Sequence, residues 1–329
     1  MTKFVASAPG KLVIAGEYAV LEGAPAIATA VDRRAVAELE TGAERYELCI
    51  ANSGECFGFD LADKGLHWHD NPGDQGNLLI AAAEVFGSAL TKLEPFSVSL
   101  CTREFYADGI KQGLGSSAAL AVALSGCLQH ALGQQSDIGT ALAVHREFQH
   151  GSGSGIDVHT SFHGGTVTVI DNAAQRCDWP EGVFMLPVWT GVAASTPARL
   201  KALASFAADE PRIYTQQQAA LGKFADKAVQ ACQSGHAEQV LISLQEFSGG
   251  LRDFDAATGL GIWSPEHVEL HRMATQEQVI YKPSGAGGGD FGLAFSVDHA
   301  PLQLFRQTVE SAGYACTGLR VGASGLRVN

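Results

Sequence analysis

A glycine-rich segment that leads directly into an apolar helical stretch constrains this chain more than any other feature. It reads Lys111-Gln-Gly-Leu-Gly-Ser-Ser-Ala-Ala-Leu-Ala-Val-Ala-Leu. Glycine lets a ligand approach the backbone closely, and the first N–H groups of a helix have no partner within the helix. Together with the helix dipole they predict an anion site, where the hydroxyl of Ser116 or Ser117 can cap the helix or reach a metal ion.

The best-known phosphate-binding patterns do not fit this segment. The Walker A pattern Gly-x-x-x-x-Gly-Lys-Ser/Thr is absent from the sequence, and the segment lacks the Gly-x-Gly-x-x-Gly spacing of dinucleotide-binding folds. A different phosphate-binding fold is therefore needed. Taken alone, the segment is also compatible with an ordinary capped helix that follows a turn.

Length and apolar patterning predict two domains of mixed α and β structure. The chain has 329 residues, of which 46% are hydrophobic and 17% charged, and it exceeds a typical single domain. Apolar runs within 11–50 and at 96–101 predict strands, whereas 77–86, 116–132 and 199–250 have the apolar spacing of helices. The polar, proline-marked stretch 171–187 lies between these regions, so we expect domains at 1–180 and 181–329.

Charge and cysteine usage narrow the possible partners. The formal net charge is −13 and the basic residues form no block, which disfavours nucleic acids and anionic membranes but not a small anionic ligand. The sequence contains neither a long apolar span nor a signal-peptide pattern at its N-terminus, so we expect a cytoplasmic protein. The seven cysteines are scattered without a Cys-x-x-Cys pair, so we expect reduced thiols.

Two further segments place the glycine-rich loop in a specific context. Ser7-Ala-Pro-Gly-Lys-Leu-Val-Ile-Ala-Gly-Glu-Tyr-Ala-Val lies near the N-terminus, and Lys282-Pro-Ser-Gly-Ala-Gly-Gly-Gly-Asp lies near the C-terminus. In this order the three segments resemble the signatures of the GHMP kinases, the family of galactokinase, homoserine kinase, mevalonate kinase and phosphomevalonate kinase. The resemblance implies a two-domain α+β GHMP kinase fold, with an N-terminal ATP-binding domain similar to ribosomal protein S5 domain 2 and a ferredoxin-like C-terminal domain. It also implies ATP and Mg²⁺ as cofactors.

Four details resemble the phosphomevalonate kinases more than the mevalonate kinases. They are Tyr18, Lys111, the segment Gln149-His-Gly-Ser-Gly-Ser-Gly-Ile-Asp and the segment Trp189-Thr-Gly-Val-Ala-Ala-Ser-Thr. This resemblance implies phosphoryl transfer to (R)-5-phosphomevalonate, giving 5-diphosphomevalonate and ADP in the mevalonate pathway of isoprenoid synthesis. The histidines at 159 and 163 depart from the small residues usual there. A mevalonate kinase, a diphosphomevalonate decarboxylase-like enzyme and a non-catalytic homologue stay open as alternatives, as do a monomer and a homodimer.

The resemblance also implies roles for individual residues. Lys11 would stabilise the transferring charge, and Asp157 would accept the acceptor's proton or orient Lys11; a strand-edge lysine and a helix-capping aspartate remain open. The residues implied for the nucleotide are Lys111, Gly113, Leu114, Gly115, Ser116, Ser117 and Ala118; Lys111 is also a candidate for a phosphorylated acceptor. Those implied for the acceptor are Gly16, Tyr18, Ser154, Ser195, Thr196, Lys282, Ser284, Gly285, Ala286 and Gly287. Those implied for the metal are Ser117 and Glu147, although Glu147 also fits a solvated helix position.

Overall fold

In the computed structural model, which describes residues 1–62, 65–151, 153–171 and 173–329, the first half of the chain is built around one mixed sheet. The strands of this half are β1 (Thr2–Ala15), β2 (Ala26–Thr41), β3 (Tyr46–Ile50), β4 (Glu55–Ala62), β5 (Gly65–Trp68), β6 (Phe96–Cys101), β7 (Tyr106–Ala107), β8 (Ile110–Lys111), β9 (Thr166–Ile170) and β10 (Ala173–Cys177). Of these, β7 and β8 form a separate hairpin. The helices of this half are α1 (Asn77–Phe86), α2 (Ser116–Ala131), α3 (Ile138–Phe148) and α4 (Ile156–His163). The strands and helices expected here from apolar spacing are confirmed.

The two long strands β1 and β2 organise this sheet. They pair antiparallel from Thr2↔Thr41 to Ala15↔Ile27, with a register shift after Pro9. The first part of β2 also pairs with β9 and its last part with β6. Helix α2 packs against both long strands through its small and branched apolar residues, so its N-terminus lies beside the middle of β1.

The second half of the chain has a smaller sheet covered by helices. Its elements are β11 (Phe184–Trp189), α5 (Thr196–Asp209), α6 (Pro211–Ser234), α7 (Ala237–Thr258), α8 (Pro265–Gln276), β12 (Ile280–Pro283), β13 (Phe291–Ser296), α9 (His299–Ser311) and β14 (Arg327–Val328). Within the described ranges, the antiparallel order is β11-β13-β12. The α+β class is confirmed. No helix in the described part of the chain is both long and apolar enough to cross a bilayer.

The two halves share a hydrophobic core. One cluster of buried side chains joins Ile14 of β1 with Leu221 of α6, Phe247 of α7 and Phe291 of β13. The last strand, β14, returns to the first sheet and pairs with β1 at Ala6↔Val328. The division at residue 180 therefore stays a prediction, since the core and the C-terminal strand both cross it.

Two local features differ from the expectations based on sequence. Cys49 and Cys56 face each other across the β3–β4 hairpin and form a disulfide, so the expectation of reduced thiols is wrong for this pair. The hairpin brings together two cysteines that are seven residues apart. In addition, the stretch read as a polar boundary contains β10, which pairs with β9 at the edge of the sheet.

Candidate active site

An ion pair between Lys11 and Asp157 lies where the N-terminal segment, the glycine-rich loop and helix α4 meet. Lys11 is in the middle of β1, opposite Ala30, and its Nζ is 3.3 Å from Asp157 Oδ1. Asp157 is in the first turn of α4, after the left-handed Gly155. Lys11 is 8% exposed, whereas the Asp157 side chain keeps 32% of its surface accessible. The pair therefore presents a shielded positive charge and a carboxylate that solvent or a ligand can reach.

The glycine-rich loop lies directly over this pair. Gly115 has a φ of +76°, which favours glycine, and a Cβ atom there would be 3.1 Å from Lys11 Cε and 3.4 Å from Asp157 Oδ2. Helix α2 begins at the next residue without a side-chain cap, so its first N–H groups are available to an anion. Leu114 is fully buried, and its carbonyl accepts from the Lys11 N–H at 2.9 Å.

The hydroxyl-bearing residues at the start of α2 differ in accessibility. Ser116 is buried and Ser117 half-buried, while Ala118 is fully buried. Ser117 is thus the more accessible of the two hydroxyls. Lys111 lies exposed in β8 just before the loop.

The C-terminal glycine segment reaches the same point from the other half of the chain. A Cβ atom at Gly285 would lie 3.8 Å from Lys11 Nζ. The three segments that resemble the family signatures therefore meet around a single ammonium group. A ligand bound by the loop before α2 would have Lys11 and the backbone of residues 284–289 beside it.

Several predicted acceptor residues instead hold the two halves together. The Lys282 ammonium is fully buried and pairs with Glu17, while the Tyr18 hydroxyl donates to the Ala286 carbonyl at 2.6 Å. The Ser284 hydroxyl donates to the Val13 carbonyl at 2.9 Å. The Lys282, Tyr18 and Ser284 side chains thus each have a protein partner, and acceptor binding by Lys282, Tyr18 and the backbone at Ser284 stays a prediction.

The remaining predicted acceptor residues lie at the cleft or behind it. Gly16 packs tightly against Ala26, so it serves the turn that leads to Glu17. Ser195 is exposed and caps α5 by accepting from the Ala198 N–H at 3.4 Å, and Thr196 is exposed at the start of that helix. Ala286 and Gly287 belong to the glycine segment, where Gly287 packs against Ile262.

Asp290 is a central residue that the sequence analysis did not select. Its Oδ1 accepts from the Ala194 N–H at 3.0 Å, and its side chain lies against Gly113 of the glycine-rich loop. Burial raises the pKa of Asp290, while the Ala194 N–H and the charges of Lys11, Arg199 and Lys111 act in the opposite direction. Asp290 thus links the glycine-rich loop to the segment that leads into α5. Its position at the end of the third segment was the available sequence signal.

Arg199 is a second residue that was missed. It lies in α5, and its guanidinium packs against Gly288, where any Cβ would collide with it. The guanidinium Nη2 of Arg199 donates to the Gly261 carbonyl at 3.5 Å. Arg199 therefore adds a positive charge beside the C-terminal glycine segment.

A buried histidine is hydrogen-bonded to the C-terminal glycine segment. His267 is 2.9 Å from the Gly289 carbonyl through Nε2 and 2.7 Å from the Tyr281 hydroxyl through Nδ1. Because a carbonyl only accepts, Nε2 carries the proton and Nδ1 accepts from Tyr281. Burial lowers the pKa of His267 to about 4, so the ring stays neutral near pH 7. This network fixes the backbone that leads into Asp290.

A small polar cavity of about 40 Å³ lies behind Asp157, beside the start of α4. Its lining includes Ser154, Arg146 and His145. Burial lowers the pKa of His145, and Asp157 acts to raise it. His145 Nε2 has no hydrogen-bond partner among the described residues. The predicted acceptor residue Ser154 therefore lies in polar surroundings next to the ion pair.

The predicted metal ligands do not form a carboxylate cluster. In the described ranges, only one group of three or more His, Cys, Asp or Glu side chains has its possible ligand atoms close together. It consists of Glu47, Cys49 and Cys56, and its two cysteines form the disulfide. Glu147 is exposed on α3. The Ser117 hydroxyl at the anion cradle fits a metal ion that arrives with a phosphate ligand, whereas the role of Glu147 stays a prediction.

Comparison with known proteins identifies the family and the fold of this chain. The family description "GHMP kinases N terminal domain" matches residues 77–165. The chain is 30% identical to phosphomevalonate kinase of Streptomyces sp. (strain CL190) over 94% of each chain, and 26% identical to mevalonate kinase of Pyrococcus furiosus over 87% of each. Its fold matches Streptococcus pneumoniae phosphomevalonate kinase in complex with phosphomevalonate and AMPPNP, with a TM-score of 0.77 and 19% identity over 96% of this chain and 99% of that one. The chain belongs to the GHMP kinase family.

Proposed function

We propose that this GHMP kinase transfers the γ-phosphoryl group of ATP to (R)-5-phosphomevalonate, giving 5-diphosphomevalonate and ADP in the mevalonate pathway. The observation that carries the proposal is the gathering of cations where the loops meet: Lys11 lies beside Gly115 and Gly285, Arg199 packs against Gly288, and Lys111 is exposed just before the glycine-rich loop. An acceptor that is itself a phosphate brings extra negative charge to the cleft. The phosphomevalonate kinase of Streptomyces, similar over nearly the whole chain, supports the same acceptor.

The nucleotide phosphates bind at the uncapped N-terminus of α2 in this proposal. The backbone N–H groups of Gly113 to Ser117 and the helix dipole hold their negative charge. The Ser117 hydroxyl would help to hold Mg²⁺ that arrives with ATP, and the ion would supply neutralisation of phosphate charge. Lys11 then lies beside the transferring group and stabilises the charge that spreads over its oxygens.

The phosphorylated acceptor makes a general base less necessary. Its attacking oxygen is already ionised near pH 7, so no proton needs to leave during transfer. Asp157, 3.3 Å from Lys11 Nζ, then serves to hold the ammonium in position. The acceptor phosphate is bound by Lys111 and Arg199, with help from the hydroxyls of Ser154, Ser195 and Thr196.

Mevalonate kinase is the second candidate, and one observation favours it. Asp157 keeps an accessible carboxylate beside Lys11, which is the arrangement that a hydroxyl acceptor requires of a base. The similarity to mevalonate kinase of Pyrococcus furiosus covers most of the chain as well. The two candidates differ in the acceptor but share the nucleotide site and Lys11.

A parallel assay separates the two candidates. ADP release is measured with MgATP and either mevalonate or 5-phosphomevalonate, and the product is identified by mass spectrometry. Turnover that depends on 5-phosphomevalonate supports the proposal. Turnover with mevalonate alone assigns the second candidate, and carbon dioxide release from 5-diphosphomevalonate would replace both with a decarboxylase.

A further inference from the structure

Two thiols from opposite halves of the chain lie in contact. Cys177 is the last residue of β10 and Cys232 lies in the last turn of α6, and their Sγ atoms are 2.9 Å apart. The sulfurs of a disulfide are bonded at about 2.05 Å, so a bond requires an approach of only about 1 Å. The two residues are 55 positions apart in the sequence, and neither contributes to the candidate active site.

The surroundings give the two thiols unequal reactivity. Cys232 is 2% exposed within the shared core, whereas Cys177 is half-buried and can meet a dissolved oxidant. A hydrogen bond from the Cys232 thiol lowers the pKa of Cys177, and the same bond together with burial raises the pKa of Cys232. Burial raises the pKa of Cys127 to about 12 and that of Cys316 to about 11. Cys177 is thus the more readily ionised thiol, with Cys232 positioned to resolve its oxidation product.

We propose that Cys177 and Cys232 form a reactive dithiol that a hydroperoxide oxidises to a disulfide between the two halves of the protein. The Cys177 thiolate attacks one peroxide oxygen and the O–O bond breaks; with hydrogen peroxide, the departing hydroxide takes up the proton that the Cys177 thiol had released and leaves as water. The Cys232 sulfur then attacks the sulfur of the Cys177 sulfenic acid and forms the S–S bond, and the hydroxyl group leaves with the Cys232 proton as a second water. Each sulfur loses one electron, and the two peroxide oxygens gain both.

The disulfide would cross-link the two halves of the protein near the segment that connects the first sheet to the second. Residues 178–183 connect β10 of the first sheet to β11 of the second. Helix α6, which holds Cys232, packs against the short helical segment Ala19–Glu22 that follows β1. A bond from Cys177 to Cys232 therefore ties the edge of the first sheet to a helix of the second half, across the connecting segment.

Peptide mapping tests the proposal directly. The purified protein is treated with hydrogen peroxide, free thiols are alkylated, and the digest is analysed by mass spectrometry without reduction. We expect a linked peptide pair containing Cys177 and Cys232, distinct in mass from the pair that contains Cys49 and Cys56. Dithiothreitol should separate it and restore two alkylatable thiols.

Matched variants complete the test. In Cys49→Ser/Cys56→Ser protein, peroxide should raise the Tm by about 5 °C, and dithiothreitol should reverse the shift. Cys177→Ser should abolish both the linked peptide and the peroxide-induced shift, whereas Cys316→Ser, which alters another half-buried thiol, should keep them. Circular dichroism checks that each variant is folded.

Two results would overturn the proposal. One is recovery of Cys177 and Cys232 as separately alkylated thiols after peroxide has oxidised other residues of the folded protein. The other is recovery of Cys177 as a sulfinic acid without the linked peptide, because a resolving thiol in contact should prevent that step. The mapping uses the unaltered chain, so this decision stands even if a serine variant fails to fold.

Discussion

The buried ion pair between Glu17 and Lys282 provides the sharpest test of how the two halves are joined. The side chains are 2% and 0% exposed, so each charge depends on the other for compensation. Glu17→Gln keeps the shape of the side chain and removes its charge, which leaves the Lys282 ammonium buried without a counter-ion. We expect the free energy of unfolding to fall by about 3–5 kcal/mol.

The assay is urea unfolding followed by far-UV circular dichroism, with two matched variants. Glu38→Gln breaks the Lys3–Glu38 pair, whose side chains are 58% and 43% exposed, and should lower the free energy of unfolding far less than Glu17→Gln does. Adding Lys282→Met to Glu17→Gln removes both buried charges and should recover most of the lost stability. A Glu17→Gln loss as small as that of Glu38→Gln would refute the reasoning.

The stability of the Glu17→Gln variant should depend on pH in a defined direction. Burial lowers the pKa of Lys282, and Glu17 opposes the shift, so removing Glu17 lowers this pKa further. The unfolded state then binds the lysine proton more tightly than the folded state, and stability rises with pH. The deficit of Glu17→Gln should therefore shrink between about pH 7 and about pH 9. A deficit that stays constant or grows over this range would contradict the assignment.

Three further predictions concern the cleft. Lys11→Met should lower kcat about 100-fold or more, because it removes a charge that acts in the transition state. The control Lys3→Met, at an exposed lysine, should leave kcat unchanged. A wild-type kcat in folded Lys11→Met protein would reject the catalytic role of Lys11. Ser117→Ala should weaken Mg²⁺-dependent ATP binding in calorimetry, and unchanged affinity would point to another ligand. Lys111→Met should raise the KM for 5-phosphomevalonate more than the KM for ATP; the reverse order would assign Lys111 to the nucleotide.

Local structure around the nucleotide loop could be read from the sequence. The glycines before Ser116 and the apolar spacing after it predicted a turn and a helix, and the structure has α2 at Ser116–Ala131. The strand at 96–101 was found in the same way. These elements depend on turn chemistry and periodicity, which act over a few residues and are therefore visible in the sequence.

The roles of several motif residues were not readable in this way. Lys282 and Tyr18 belong to segments that resemble family signatures, and both were expected to bind the acceptor. Their side chains also have partners within the protein, Glu17 and the Ala286 carbonyl, each more than 260 positions away in the sequence, and acceptor binding by either stays a prediction. A motif shows that a residue belongs near a site, but it does not show whether the side chain faces the ligand or the protein behind it.

The sequence by itself determined the α+β class of fold and predicted the anion cradle before α2. It also placed Lys11 and Asp157 in segments that resemble those of a known family. Only the tertiary structure decided that Asp290 lies against Gly113, that Cys49 is bonded to Cys56, and that Cys177 touches Cys232. The physical reason is the range of the interactions. Turns and helices are set by neighbouring residues, whereas burial, ion pairing and thiol contact depend on packing between elements distant in the chain.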